Sequence, residues 1–147
     1  MVWAGISRKG ATNICLLNAS VNSAVYQEVL RTHLLPFLQR KLPKGRLQQD
    51  NAPCHTAKAT QKFMKTNKIP LLTTPPESPD LNPIENVWHE MKHYIRTTAK
   101  PRNKEELLQA IQALWATVTP EKCNRYIGHL KKVIPKVIEL NGDATGY

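Results

Sequence analysis

Apolar positions cluster first in two short stretches that read as strands, Val2–Ser7 and Thr12–Asn18, with Arg8-Lys9-Gly10 as the hairpin turn between them. The spacing then changes. Val25, Val29, Leu30, His33, Leu34 and Leu38 recur near helical intervals and predict a helix from about Asn22 to Arg40, stopped by Pro43 and Gly45. Leu47 leads a short strand with Asp50 at its end. Thr56 is the expected N-cap of a helix reaching about Asn67, followed by an extended piece, Ile69–Leu72, and a proline-rich loop from Thr73 to Leu81. Asn82 as cap, Pro83 at the first helical position and Glu85 three residues past the cap predict a helix to about Thr97. Asn103 caps another through Ala116. A last helix begins near Pro120 with Ile127, Leu130, Ile134, Val137 and Ile138 on its apolar side, a kink at Pro135 and a stop at Asn141-Gly142. Strands early and helices late around one core predict a single mixed α/β domain over residues 1–147.

Charge adds a partner to this outline. The 147 residues carry 21 Lys and Arg against 11 Asp and Glu, a formal net charge of +10, and 41% are hydrophobic. That composition is globular, and the positive excess suits a polyanion such as nucleic acid as well as it suits a plain basic domain. Cys15, Cys54 and Cys123 are odd in number and far apart, which argues against a disulfide scaffold or a zinc knot and fits a reducing, intracellular compartment. Neither a signal-peptide pattern nor a membrane span is present, so no membrane partner is expected.

The candidate chemistry lies in two segments, Gln48-Gln49-Asp50-Asn51-Ala52-Pro53-Cys54-His55 and Ser78-Pro79-Asp80-Leu81-Asn82-Pro83-Ile84-Glu85-Asn86-Val87-Trp88. Asp50 and Glu85 on rigid elements can share divalent cations, since Mg²⁺ prefers carboxylate, water and phosphate oxygens. Two ions about 3.5–4 Å apart would serve an in-line phosphoryl displacement. Each acid also has a purely structural reading. Glu85 completes a capping box with Asn82, and Asp50 opens an Asx turn. Lys58, Lys62 and Lys65 form one helical stripe, either a solvated face or a phosphate-tracking surface. His55 supports the Asp50 loop by a hydrogen bond, His89 and His93 are surface residues or approach the metal or DNA, and Trp88 and Trp115 read as core or interhelix packing ahead of base stacking.

Together these segments resemble the catalytic domain of mariner-superfamily transposases that use an Asp, Asp, Glu triad. The matching features are Asp50-Asn51 with His55, the residues 51 to 84 that lie between Asp50 and Glu85, and the Ser78 to Trp88 block. The resemblance implies a ribonuclease-H-like (retroviral-integrase-like) fold, Mg²⁺ or Mn²⁺ as cofactor at Asp50 and Glu85, and DNA rather than a small molecule as substrate. It also implies a place in the nucleus of a eukaryote and is compatible with a homodimer. Asn51, His55 and Asn82 would support the site. In the family, the first catalytic Asp lies on a strand ahead of the segment that resembles Met1–Gly5. That strand is therefore expected to be missing here, leaving residues 1–147 inactive alone as a nuclease. A non-catalytic DNA-binding or interaction module derived from such an enzyme is the alternative.

Overall fold

The structure, a computed structural model, describes residues 1–17, 20–75 and 78–141. Its N-terminal hairpin is built from four two-residue strands: β1 (Val2–Trp3), β2 (Ile6–Ser7), β3 (Gly10–Ala11) and β4 (Cys15–Leu16). β1 pairs antiparallel with β4, and β2 with β3. Val2 lies opposite Leu16 and Trp3 opposite Cys15, but Ile6 lies opposite Ala11 and Ser7 opposite Gly10. Two residues, Ala4 and Gly5, thus face three, Thr12 to Ile14, which is a β-bulge. The strand predicted over Thr12–Asn18 is broken there, and Asn18 lies outside the described residues.

Packing explains the extra residue. Ala11 has odd parity and Ile14 and Leu16 even parity, yet all three pack on the cluster around Val87, Met91 and Trp115. A strand alternates its faces with a period of two, so an inserted residue is needed for both parities to reach one core. Side chains close the bulge. Gly5 N–H donates to Thr12 Oγ1 at 2.8 Å, and the Trp115 indole N–H donates to Thr12 O at 2.9 Å.

Helix α1 (Ser23–Val29) starts at Asn22, whose Oδ1 accepts from Val25 N–H at 2.9 Å. It passes through a π-helical turn, Leu30–Leu34, into α2 (Leu35–Lys41). Pro36 accounts for the wider turn: it has no N–H to donate and its ring displaces the carbonyl four residues back, so Leu35 N–H bonds to Leu30 O. The slip rotates the buried stripe. Tyr26, Val29, Leu30, Leu34 and Phe37 are buried, whereas Val25, His33 and Leu38 of the predicted stripe are half-buried.

The next helix begins at Pro53, not Thr56, because proline is preset for a first helical position. It forms one turn, α3 (Pro53–Thr56), breaks at Ala57 (φ −53°, ψ 136°) and resumes as α4 (Lys58–Thr66). Thr60 and Gln61 side chains bridge the break, donating to Cys54 O at 2.7 Å and His55 O at 3.0 Å. Helix α5 (Ile84–Tyr94) extends through a π turn, Ile95–Ala99, to a left-handed Lys100. Helix α6 (Lys104–Ala116) is capped by Asn103, which accepts from Glu106 N–H at 2.9 Å. Helix α7 (Pro120–Glu139) carries Pro135 within it, and Asn141 beyond its end has φ 51°; the expected stop at Gly142 lies outside the described residues. It packs on β2, β3, α5 and the 79–81 turn and buries Cys123 and Val133; of the predicted apolar side, Ile127, Leu130 and Val137 are half-buried and Ile134 and Ile138 stand exposed. Among the described residues, no helix is long and apolar enough to cross a membrane.

These elements make two apolar clusters, one around Val87 and Trp115 and one around Tyr26, Leu30 and Met64. Val2, Ala4 and Ile6 serve the first and Trp3 the second. Between the Val2–Ser7 segment and the 46–50 segment lies a cavity of about 760 Å³, walled by Val29, Leu34 and Phe37 and by Trp88, Ile127 and Leu130. Met1 and Leu17 exchange both peptide hydrogen bonds at 2.8 and 3.0 Å. By the alternation of an antiparallel ladder, Val2, Ala4 and Ile6 then turn their peptide groups away from that partner strand.

Replacing Trp115 by Phe keeps the ring and removes the N–H that satisfies Thr12 O. The expected cost is about 1–3 kcal/mol, the scale of a buried acceptor left unpaired, measured by urea unfolding.

Candidate active site

Leu47 N–H donates to Pro70 O and Leu47 O accepts from Leu72 N–H, both at 2.8 Å, forming one parallel bridge with Leu71. The extended course from Leu47 sends consecutive side chains to opposite sides. Gln48 Nε2 donates to Leu81 O at 2.7 Å, while Gln49 Oε1 accepts from the Tyr26 hydroxyl at 2.6 Å. Asp50 follows with its carboxylate divided between two tasks. Its Oδ1 accepts from Ala52 N–H at 3.0 Å, an Asx turn, and lies 2.7 Å from His55 Nδ1. Its Oδ2 makes no hydrogen bond among the described residues, and the side chain is 71% exposed. The His55 ring lies against Tyr26 with centroids 4.2 Å apart. The structural and chemical readings of Asp50 therefore coexist, one on each oxygen.

For Glu85 they do not. The expected capping box is absent: α5 has no side-chain cap bond, and the Asn82 amide donates instead to Pro79 O at 2.8 Å. The short 3₁₀ turn Pro79–Leu81 claims that amide, which corrects the role predicted for the Asn82 side chain. Asn82 starts the helix through its backbone, with extended φ −109° and ψ 99° and its carbonyl accepting from Glu85 N–H at 3.0 Å. The Glu85 carboxylate is left to the cavity, which Asp50 and Asn82 also line. Burial pushes the Glu85 carboxyl above its ordinary value, Lys92 pulls it down, and the charge of Asp50 raises it further. The two acids thus lie within electrostatic reach of each other.

The remaining candidates fall outside this pair. Lys58, Lys62 and Lys65 are exposed on α4, on the side opposite buried Thr60 and Met64. Asn51 is exposed, and neither it nor exposed His89 and His93 lines the cavity. Trp88 and Trp115 stack with centroids 5.6 Å apart, in the core as expected. Burial raises the thiol pKa of Cys15 and Cys123, which disfavours thiolate chemistry. Sequence reasoning passed over Tyr26, Gln48 and Gln49. The available signal was the Gln doublet directly before an acid at a strand end, where alternation must send the two amides to opposite sides.

Among the described residues, no three His, Cys, Asp or Glu side chains gather into a metal-holding group. The pair of hard carboxylate oxygens donated by Asp50 and Glu85 nevertheless fits part of a Mg²⁺ or Mn²⁺ shell, with water and phosphate as the natural complement. A family model described as DDE superfamily endonuclease matches residues 1–108. The chain belongs to that family.

Relatives of this chain agree with the family assignment. Over 149 residues it is 31% identical to the "Transposable element Tc3 transposase" of Caenorhabditis elegans, covering 100% of this chain and 45% of that protein. It thus spans about half the length of the curated relatives it matches. The catalytic domain of Mos1 mariner transposase superposes with a TM-score of 0.84 at 27% identity, over 97% of this chain and 74% of that one. A Mos1 mariner paired-end complex with Mn superposes at 0.83 and 28% identity, over 97% of this chain and 44% of that one. The α/β, ribonuclease-H-like fold expected from the sequence is therefore the fold of this chain.

Because the folded state raises the Glu85 pKa, it holds that proton more tightly than the unfolded chain does. The stabilising contribution is present at acid pH and is lost as pH rises from the ordinary value of 4.5 through the raised one. Glu85→Gln should therefore gain stability relative to the parent as pH climbs from 4 to 7, read as a widening difference in Tm.

Proposed function

We propose that this chain is the catalytic part of a DNA transposase and takes part in metal-dependent DNA cleavage and strand transfer. Asp50 and Glu85 facing one cavity at the family's spacing is the observation that carries this reading. Asp50 would offer Oδ2 and Glu85 its carboxylate to Mg²⁺ or Mn²⁺, ions named with Mos1 neighbours. The chemistry supplied by a bound ion pair is activation of the attacking oxygen, from water or a DNA 3′-hydroxyl, and neutralisation of the leaving one. The protein's own part is positional. His55 and the Asx turn hold Asp50, and the backbone of Asn82 starts the helix that presents Glu85.

Two carboxylates make an incomplete set for a triad enzyme. The cavity between residues 2–7 and 46–50 has strand-forming chain on both flanks and apolar walls on both faces, which suits a further strand. The strand bearing the family's first Asp would lie there. DNA is the proposed partner, in keeping with the paired-end complexes among the neighbours, and the nucleus is the proposed place of action. Lys58, Lys62 and Lys65 would contact phosphates without reading sequence.

Joining a strand that carries one Asp ahead of Met1 is expected to raise the Tm and to permit plasmid nicking with Mn²⁺. Residues 1–147 alone are expected not to nick. Nicking by that polypeptide which Glu85→Gln abolishes would overturn the incomplete-set argument. Binding of this chain to duplex DNA should fall steeply with salt. Replacing the three lysines with Ala should flatten the log–log slope by about 2.7, if each covers one phosphate. An unchanged slope removes the stripe from the interface.

A further inference from the structure

Gln48 ties the two acid-bearing segments together, and we infer that it is a positioning residue that sets the separation of the Asp50 and Glu85 carboxylates. The inference rests on reading that pair as the metal site. Gln48 stands two residues before Asp50. Its Nε2 reaches 33 positions along the sequence to donate to Leu81 O at 2.7 Å.

Little can flex between that carbonyl and Glu85. Leu81 N–H bonds to Ser78 O at 3.1 Å, Asn82 N–H to Pro79 O at 2.8 Å and Glu85 N–H to Asn82 O at 3.0 Å. Pro79 and Pro83 fix two further φ angles in the same stretch. The other flank is equally short, because Asp50 is held by its own Asx turn and Gln49 by Tyr26. A push at Gln48 therefore reaches both carboxylates through constrained backbone. The amide suits the task chemically, since Leu81 O needs a donor and a neutral one adds no charge beside two acids. Methionine keeps the length of the side chain and loses the donor.

The experiment counts free Mn²⁺ by electron paramagnetic resonance in titrations of the 147-residue polypeptide. Gln48→Met should weaken Mn²⁺ binding about tenfold or more, the scale for residues that orient metal ligands. Asn67→Ala also removes an amide-to-carbonyl bond, to Phe63 O at 2.8 Å at the end of α4, and should leave Mn²⁺ affinity unchanged. In a Glu85→Gln background, Gln48→Met should cost no more than about twofold further, because coupled residues do not add. If Gln48→Met lowers the Tm as Asn67→Ala does while Mn²⁺ affinity stays at the parent value, the inference is overturned. Asp50→Asn and Glu85→Gln that both bind as the parent does sink the metal reading instead. Where the parent itself binds no Mn²⁺, the side-chain carboxyl ¹³C resonances decide. Gln48→Met must then move those of both Asp50 and Glu85, and movement of Asp50 alone overturns the inference.

Discussion

Leu47 gives its N–H to Pro70 and its carbonyl to Leu72, and those two bonds fix the extended course of the residues that follow. Everything at the acidic cleft hangs on that course. With the chain extended, Gln48 and Gln49 must part to opposite sides, one to the turn that leads to Glu85 and the other to Tyr26 on α1. Each such bond contributes only about 0.5–1.5 kcal/mol net. Their effect is geometric: three elements distant in sequence are held around one carboxylate, with the His55 ring tilted against Tyr26 and its Nδ1 beside Asp50.

Electrostatics at the cleft run against the rest of the molecule. A chain of formal charge +10 draws a polyanion from a distance, whereas Asp50 and Glu85 repel phosphate at close range. The raised pKa of Glu85 records the same conflict at the cleft surface, since partial desolvation and the like charge of Asp50 oppose its ionisation more than Lys92 favours it. A cation between the acids relieves the repulsion within the pair and between the pair and the phosphate. In this reading, metal affinity and DNA affinity are linked through one local field.

Much of this architecture was legible in the sequence, and the parts that were not share a cause. Helices whose ends carry local chemistry were visible: Asn22 and Asn103 cap where their residue types suggest, and Pro120 opens α7. That Asp50 and Glu85 line one cavity was foreshadowed by the spacing and the Ser78 to Trp88 block. The capping box at Glu85 looked equally local and failed, because the preceding 3₁₀ turn had already taken the amide it needs. Pro36 shifted the stripe of the first helix by forcing a π turn, and α7 keeps Ile127, Leu130 and Val137 half-buried but centres its buried side on Cys123 and Val133, because the elements it packs on determine what it meets. The bonds made by Gln48 and Gln49 join residues 33 and 23 positions apart, and no local pattern reports them.

The bulge in the N-terminal hairpin lets its three-residue side carry one residue more than the opposite strand without changing which side chains face the core. Many side chains can occupy Asn13, which is exposed, without disturbing the ladder. Removing that residue would give a regular ladder in which Ala11, Ile14 and Leu16 share one phase and still turn toward the core around Val87 and Trp115. The hairpin is thus tolerant of spelling and, at this one position, of length. A single-codon deletion there would straighten the strand and leave its faces where a missense change also leaves them.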